Sequence, residues 1–335
     1  MKVAHLVAIT PHRSGLYETT RDLVAAEREL GVDARLVHPF QPDEDRGVPI
    51  GEDRFVAEAD ILVSHSGLGK YEKTPQPIVH VMHGRPRSSF LLEQSEVSPV
   101  YSMLNGMRAD DRYKAFVTFW PSFVDYWQLI LPAEKLWAFS PPVDLTVWSP
   151  EGKADYEFGG RRGDVNIICV DPWRHDKDPF HVINAFWHYA TRHPNVKLHL
   201  YGVTNVFSAL RVLFQAVSGV GGLGEVRPIV SGIDTVYRSA DLLITGHTIA
   251  TRTVREAMAC GCPVVAGGVD AEATVYADVE RPKAFAEKID EVVCTLQDDK
   301  DGTRRRCRAV AEDRFAARMT AAGMVSIFDS ILGSG

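Results

Sequence analysis

Short apolar runs alternate with amphipathic helical stripes in both halves of the chain, and this alternation constrains the fold more than any other feature. Residues 3–9 form a continuous apolar run, which predicts a parallel strand covered on both faces. The next apolar positions share one helical face: Leu16, Leu23, Val24 and Leu30. Because strands and helices alternate, we expect right-handed crossovers and a parallel sheet.

The same pattern continues and then restarts in the second half. In the first half, further strands are predicted at residues 32–36, 59–64 and 77–82. In the second half, strands are predicted at residues 165–170, 196–201, 241–245 and 263–266. Helical stripes are predicted at residues 182–190 and 285–296, and one further helix at residues 303–332 with a break near Ala322 and Gly323. Each half therefore has the elements of its own sheet.

A passage rich in proline and polar residues separates the two halves. Proline recurs between Ser140 and Pro150, and a polar stretch follows at residues 151–164, a composition typical of a domain linker. A length of 335 residues also favours two domains. We therefore predict two Rossmann-like, doubly wound α/β domains with a cleft between them, an N-terminal one at residues 1–148 and a C-terminal one at residues 149–317. A C-terminal helix at about residues 318–335 is expected to pack back on the first domain.

Composition excludes several classes of protein. The 37 basic and 44 acidic residues give a net charge of −7, so a globally basic surface for nucleic acid is absent. No apolar run approaches the roughly 18 residues that span a bilayer, and we interpret the apolar N-terminus as a strand rather than a signal peptide. The five cysteines have irregular spacing, which favours buried thiols in a reducing cytoplasm over a disulfide framework or a zinc site. We expect a cytoplasmic protein.

Two common nucleotide-binding motifs are absent from the sequence. The turn after the first strand, residues 10–15, holds one glycine instead of the three of the dinucleotide fingerprint. The corresponding turn of the second half, residues 171–177, holds none, and no P-loop sequence occurs. The chain is therefore not expected to bind dinucleotides or to act as a P-loop nucleotidase.

Residues 241–266 carry the most information about function. They are predicted to form a strand, a polar loop, a helix and a second strand, so the loop presents backbone amides at a helix start that favours phosphate. Arg252 adds a positive charge at that position. For Glu256 two interpretations are open at this level, because Thr253 and Glu256 have capping-box spacing, which would stabilise the helix without any ligand.

The end of this segment resembles a known signature. Glu256–Ala266 reads Glu-Ala-Met-Ala-Cys-Gly-Cys-Pro-Val-Val-Ala, which is similar to the signature of retaining GT-B glycosyltransferases, the large family 4-like group that includes sucrose, trehalose and mannosyl synthases. Residues 165–186 resemble the strand–loop–helix of the same group, and residues 142–150 resemble its interdomain segment. The resemblance covers nearly the whole chain and is more specific in the second half. It implies a GT-B fold.

The resemblance assigns the second half to the sugar donor. Glu256 is expected to bind the ribose hydroxyls of a nucleotide sugar, and Arg174 and Lys177 to clamp its diphosphate as part of the catalytic set. The loop and helix start are expected to hold the sugar and phosphates, through Thr248, Ile249, Ala250, Thr251, Arg252 and Thr253. The sequence departs from the family at Thr248, which replaces a glutamate that normally contacts the sugar. Donor identity and catalytic competence are therefore left open.

The first half is expected to contribute to the same reaction. Gly15 stands where the family has a glycine-rich loop facing the diphosphate, and His83 ends a strand in the manner of the family histidine that contacts the donor sugar. His83 therefore completes the catalytic set. Glu18, Arg85 and Arg87 are candidates for contact with the acceptor, although ordinary surface charge is the favoured interpretation of the two arginines.

The expected activity is that of a hexosyltransferase-type glycosyltransferase. It would move a sugar from a nucleotide diphosphate donor, UDP- or GDP-linked, to an acceptor hydroxyl with retention, with no metal and no other cofactor. The acceptor remains open among a glycan, a lipid, a small molecule and DNA carrying hydroxymethyl pyrimidines, as in phage-type DNA glycosyltransferases. A nucleotide-sugar epimerase and a non-catalytic nucleotide-sugar-binding protein are the alternatives, and the oligomeric state is left open.

Overall fold

The computed structural model of the chain divides into two compact units. The first comprises Met1–Asp144 together with Phe315–Gly335, and the second comprises Leu145–Arg314. The structure describes residues 1–7, 15–38, 44–45, 47–84, 99–158, 164–171, 179–203, 208–228 and 230–333. Each unit is built around its own six-stranded sheet.

The first unit has a fully parallel sheet with the strand order β2-β1-β5-β6-β7-β8. Its strands are β1 Lys2–Leu6, β2 Asp33–Val37, β5 Ile61–Ser64, β6 Ile78–Met82, β7 Tyr113–Thr118 and β8 Leu136–Ala138. Two short strands, β3 Glu44–Asp45 and β4 Val48–Pro49, pair antiparallel outside this sheet. Every residue of β5 and β6 is buried, which is why both are mainly apolar in the sequence, with Ser64 and His80 as the polar exceptions.

Helices connect these strands. The helices of the first unit are α1 Gly15–Glu29, α2 Asp53–Glu58, α3 Pro99–Ala109, α4 Val124–Trp127 and, at the far end of the chain, α11 Ala317–Gly333. The chain thus returns to the first unit after the second is built, and α11 packs on α1.

The second unit repeats the design with the strand order β11-β10-β9-β12-β13-β14, again all parallel. Its strands are β9 Val165–Val170, β10 Val196–Tyr201, β11 Leu223–Arg227, β12 Leu242–Ile244, β13 Val264–Ala266 and β14 Val275–Tyr276. Numbered within the unit, this order is 3-2-1-4-5-6, the Rossmann order. The predicted pair of Rossmann-like sheets is confirmed.

The helices of the second unit are α5 Phe180–Ala190, α6 Ser208–Gly219, α7 Ile233–Ser239, α8 Arg252–Ala259, α9 Pro282–Asp298 and α10 Lys300–Phe315. The core lies between the sheet and the apolar faces of α5 and α9, where Phe186, Phe285 and Ile289 are fully buried. This packing fixes the ends of β9 and β12, where the candidate site lies.

The predicted break near Ala322 and Gly323 is wrong. The helix ends at Phe315, and α11 begins two residues later. Val143 pairs with the chain at this point: its N–H donates to the carbonyl of Phe315 at 2.8 Å, and its carbonyl accepts from the N–H of Ala317 at 3.2 Å. These bonds to a distant segment interrupt the helix, whereas Gly323 continues it.

No helix among the described residues combines the length and the apolar character that a membrane crossing requires.

Candidate functional site

The second sheet has a topological switch point between β9 and β12. From β9 the chain proceeds outward to β10 and β11, and then returns to the other side of β9 with β12. In open α/β sheets, ligands bind beyond the carboxyl ends of the strands at such a point. Here these ends are followed by Asp171 after β9 and by the loop of residues 245–251 after β12.

Asp171 and two residues of this loop form a buried polar cluster. The Oγ1 of Thr245 donates to Asp171 Oδ2 at 3.0 Å, and His247 Nε2 lies within hydrogen-bond distance of Asp171 Oδ1. The backbone N–H of His247 also donates to Thr245 Oγ1 at 3.3 Å. Asp171 is 4% exposed, so its carboxylate is committed to these partners. The cluster joins the ends of β9 and β12 and fixes the direction of the loop.

Two glycines after β13 hold the loop from its other side. A Cβ at Gly267 would lie 2.4 Å from the carbonyl oxygen of Gly246, and one at Gly268 would lie 2.9 Å from Thr248 Cβ. The N–H of Gly267 donates to the carbonyl of His247 at 2.8 Å. The backbones approach so closely that only glycine fits at Gly267. The loop is therefore fixed in position at Gly246–Thr248.

The helix α8 begins at the end of this loop. Thr251 is its N-cap residue, with extended backbone angles and no side-chain capping bond, and its Oγ1 instead lies 3.0 Å from the Oγ1 of Thr253. Thr253 is thus the second residue of the helix and Glu256 the fifth, so the two do not occupy the N-cap and third positions that a capping box needs. The capping-box interpretation of Thr253 and Glu256 is wrong, because the helix starts two residues earlier than that spacing requires.

Glu256 pairs with Arg252 instead. Arg252 Nε donates to Glu256 Oε1 at 2.5 Å across one turn of α8, and the two side chains are only 10% and 9% exposed. The guanidinium lies 6.0 Å from the ring of Trp148, which in turn packs against Tyr237. Burial, followed by the charge of Glu256, raises the pKa of Tyr237 well above its ordinary value. The pair is thus a buried ion pair in an aromatic setting.

The remaining predicted residues of the loop differ in exposure. Thr248, Ile249, Thr251 and Thr253 are half-buried, whereas Ala250 is 1% exposed. The structure therefore brings Thr248–Thr253 and Glu256 together on one loop and the helix that follows it. The side chain of Ala250 is part of the buried core.

In the first unit, His83 lies at the carboxyl end of β6. Its Nε2 is 2.8 Å from His65 Nδ1, and its ring meets the ring of Phe119 edge to face with centroids 4.9 Å apart. Gly15 is the exposed first residue of α1. Glu18, one turn later, pairs with Arg21 at 2.5 Å. His83 and Gly15 thus follow strands of the same sheet, whereas Glu18 is engaged within its own helix.

The comparisons with known proteins agree with this geometry. Residues 165–295 match the family model described as glycosyl transferases group 1. The glycosyltransferase from Rickettsia africae ESF-5 has a similar structure, with a TM-score of 0.74, 15% identity, and coverage of 100% of this chain and 99% of that chain. The structure of Anabaena HepE in complex with UDP-glucose has a TM-score of 0.74 and 16% identity, with coverage of 97% of this chain and 99% of that chain. Sucrose-phosphate synthase from Thermosynechococcus elongatus has a TM-score of 0.71 and 13% identity, with coverage of 100% of both chains. No curated protein matches the sequence significantly.

The family match covers β9 through most of α9, including the switch point and α8. The solved structures cover the whole chain with the same two-sheet fold. The chain is a glycosyltransferase with the GT-B fold. The resemblance and the enzyme class inferred from Glu256–Ala266 are thereby confirmed, and sugar transfer is the class of reaction.

Four predicted residues of this glycosyltransferase lie outside the described residues. They are Arg174 and Lys177, proposed for the diphosphate, and Arg85 and Arg87, proposed for the acceptor. Their assignments stay predictions.

Sequence reasoning missed Asp171 and His247. Asp171 directly follows a buried strand and His247 lies in a loop already identified, so their positions at strand ends were the available signal. Their hydrogen bond joins positions 76 residues apart, which no local pattern shows. Both belong to the glycosyltransferase domain, at the point where its sheet changes direction.

A cavity of about 910 Å³ lies elsewhere, in the first unit of the glycosyltransferase. It is lined by residues of β1, β2, α2 and the segment that follows β5, including Arg35, His38 and Lys70. None of the predicted site residues that the structure describes lines it. Size alone does not outweigh the switch-point geometry and the family match, so we place the candidate site at the ends of β9 and β12.

Proposed function

We propose that the glycosyltransferase moves a sugar from a nucleoside diphosphate donor to an acceptor hydroxyl, and that its second unit binds the donor. The observation that carries this proposal is the fixed loop of residues 245–251, which leads from the switch point of the sheet directly into α8. Within the matched glycosyltransferase domain, it joins a helix start to the buried Arg252–Glu256 pair.

The helix start suits the diphosphate of such a donor. The N–H groups of the first helical turn have no carbonyl within the helix to bond, and the helix dipole favours negative charge at this end. Arg174 and Lys177 follow β9, the neighbouring strand, and are proposed to add positive charge that stabilises the leaving diphosphate. A few such charge-assisted bonds, at about 1.5–3 kcal/mol each, suffice to hold a nucleotide.

Glu256 suits the ribose. An ionised carboxylate only accepts hydrogen bonds, which matches the vicinal hydroxyls of a ribose as donors. The neighbouring guanidinium of Arg252 favours the ionised form of this buried carboxylate, and the pair fixes its orientation. A low exposure of 7% also strengthens each bond that Glu256 makes, because little water competes.

We propose that the nucleotide of the sugar donor is a uridine nucleotide. The structures of Anabaena HepE, which share this fold, are described as complexes with UDP-glucose and with UDP and glucose. His83 is proposed to contact a sugar hydroxyl, as the resemblance implies. We further propose that the anomeric configuration is retained, that the leaving diphosphate helps to deprotonate the acceptor, and that cationic side chains act in place of a metal.

Calorimetry with UDP, GDP and their sugar conjugates tests donor binding directly. Glu256→Gln should weaken nucleotide binding by roughly 10- to 100-fold, the equivalent of one charge-assisted hydrogen bond. Glu291→Gln is the matched control, since Glu291 is also a helical glutamate paired with a cation, here Lys288 at 2.6 Å on an exposed surface. The control should bind like the wild type. Equal binding by wild type and Glu256→Gln would contradict the ribose assignment.

Further measurements separate the finer parts of the proposal. Arg174→Ala should lose affinity for nucleoside diphosphates but not for the nucleoside, and unchanged affinity would remove the clamp assignment. Retention is read from the anomeric NMR signals of the product, and metal independence from activity in excess chelator. A protein that binds the donor but shows neither transfer nor slow hydrolysis would instead be a non-catalytic binding protein. Consumption of the donor without any acceptor would indicate an epimerase.

A further inference from the structure

A row of hydrogen-bonded histidines runs beneath the carboxyl edge of the first sheet. His5 Nδ1 lies 3.0 Å from His65 Nε2, and His65 Nδ1 lies 2.8 Å from His83 Nε2. At the inner end, His5 Nε2 lies 2.7 Å from Glu27 Oε2 on α1. The row thus crosses the neighbouring strands β1, β5 and β6 and includes His83, the histidine proposed to contact the sugar.

The inner members of the row are buried. His5 and Glu27 are 0% exposed, and His65 is 3% exposed. The second oxygen of Glu27, Oε1, accepts no hydrogen bond from the described residues. A carboxylate that is buried with so few partners is costly unless a positive charge can form beside it. His5 is the group in contact with Glu27 that can carry that charge.

Because His5 and His65 each use both ring nitrogens, the hydrogen bonds order the protons along the row. If ionised Glu27 accepts from His5 Nε2–H, then His5 Nδ1 must accept from His65 Nε2–H. His65 Nδ1 must in turn accept from His83 Nε2–H. All three rings are then neutral and carry hydrogen on Nε2, and His83 Nδ1 is a hydrogen-bond acceptor.

One added proton reverses this order without leaving charge on the outer rings. A proton that binds His83 Nδ1 lets the Nε2 proton of His83 pass to His65 Nδ1, and the Nε2 proton of His65 pass to His5 Nδ1. His5 then carries both protons as an imidazolium beside ionised Glu27, while His65 and His83 are neutral and carry hydrogen on Nδ1. The balance is one proton taken up at His83 and one positive charge held at His5.

Neighbouring groups are consistent with a neutral middle ring. Burial, and then the charges of His83, His5 and His80, hold the pKa of His65 well below its ordinary value. His80 is on the opposite face of β6, against Ser64, and burial lowers its own pKa to about 4. On α1, the charges of Arg21, Glu18 and Asp22 pair with one another.

We propose that Glu27, His5 and His65 form a proton relay that sets which ring nitrogen of His83 carries hydrogen. The proposal rests on the proposed function in one respect, that His83 contacts a sugar hydroxyl. His83 presents an acceptor to that hydroxyl in one state of the relay and a donor in the other. Glu27, His5 and His65 are positioning residues, because they act on the substrate only through His83.

Nitrogen-15 NMR of the histidine-labelled protein tests the relay without any substrate, since ring-nitrogen shifts report which nitrogen is protonated. Each ring is assigned from the signal lost in a single His→Gln variant. In the wild type, lowering the pH should convert His65 and His83 from Nε2–H to Nδ1–H in the same step in which His5 becomes doubly protonated. Independent titration of the three rings would overturn the proposal, and this titration requires no variant at Glu27.

Glu27→Gln supplies the second test. The variant keeps the shape of the side chain but removes the charge that holds the proton on His5, so the joint step should disappear, together with one ionisation in the pH profile of kcat/KM. Glu29→Gln, an exposed change on the same helix, should keep both. An unchanged His83 tautomer and pH profile in Glu27→Gln would overturn the relay. Because the NMR result does not depend on nucleotide binding, a failed relay and a failed donor assignment give different results.

Discussion

Arg252 Nε and Glu256 Oε1 lie 2.5 Å apart across one turn of α8, in a pair whose side chains are 10% and 9% exposed. Removing one member of a buried ion pair leaves the other charge without compensation, whereas replacing both by apolar groups is often tolerated. The pair is also the part of the candidate site where local stability and the proposed donor binding meet. Its two roles can be measured separately.

We expect Arg252→Met to lower the free energy of unfolding by about 3–5 kcal/mol, because Glu256 is left buried without its cation. The double variant Arg252→Met with Glu256→Gln should recover much of this loss in urea denaturation. Lys288→Met removes the cation from the exposed pair with Glu291 and should leave stability unchanged. Equal losses in the single and double variants would show that the ion pair does not account for the effect.

The stability of the second unit should depend on the protonation of His199. This side chain is 0% exposed, its Nδ1 accepts from the N–H of Glu225 at 3.1 Å, and its Nε2 donates to Asn166 at 3.2 Å. Burial lowers its pKa from the ordinary 6.5 to about 4. As the pH falls, the unfolded chain therefore takes up this proton before the folded chain does. The contribution of neutral His199 to stability is fully present above pH 6.5 and is lost as the pH falls from 6.5 to 4.

Because of His199 alone, the free energy of unfolding should be about 2–3 kcal/mol lower at pH 4.5 than at pH 7. Urea denaturation of the wild type and of His199→Gln at both pH values measures the effect. The decrease in stability on acidification should be smaller in the variant by that amount. A variant with the same decrease as the wild type would rule out His199 as its source.

Substitution by alanine should have opposite effects on stability at Gly323 and at Gly106. A Cβ at Gly323 in α11 would lie 2.3 Å from Phe139 Cε1, so Gly323→Ala should destabilise the first unit by about 1–3 kcal/mol. Gly106 in α3 has open space around it, so Gly106→Ala should stabilise by about 0.5–1 kcal/mol through helix propensity alone. Thermal denaturation of both variants checks the pair, and a stabilised Gly323→Ala would show that Phe139 moves aside without cost.

Local sequence was sufficient for elements that are buried on both faces. The predicted strands at residues 165–170 and 196–201 match β9 and β10 to the residue, because most side chains of a central parallel strand are buried and apolar. Where contacts between distant segments decide the structure, the prediction from local sequence was wrong, as for the helix break near Gly323. The bonds of Val143 end the helix at Phe315, and the close approach of Phe139 explains why Gly323 lies within a helix rather than breaking one.

The same distinction applies to the candidate site. The segment that contains Glu256 was recognisable because its residues are contiguous, although the exact start of α8 was not. The histidine row was missed because its contacts join positions 18, 22 and 60 residues apart, and each histidine taken singly is unremarkable in the sequence. Such clusters become apparent only when the order of β1, β5 and β6 in the sheet is known.

The pairing of α1 with α11 has a consequence for synthesis. Residues 145–314 are contiguous and can fold as soon as they leave the ribosome, whereas the first unit also needs Phe315–Gly335, which are translated after them. The first unit therefore completes its fold after the second. A nascent chain stopped before Ala317 would carry a complete second unit and an α1 whose α11-facing side is exposed, so protection of α1 reports whether translation has passed α11.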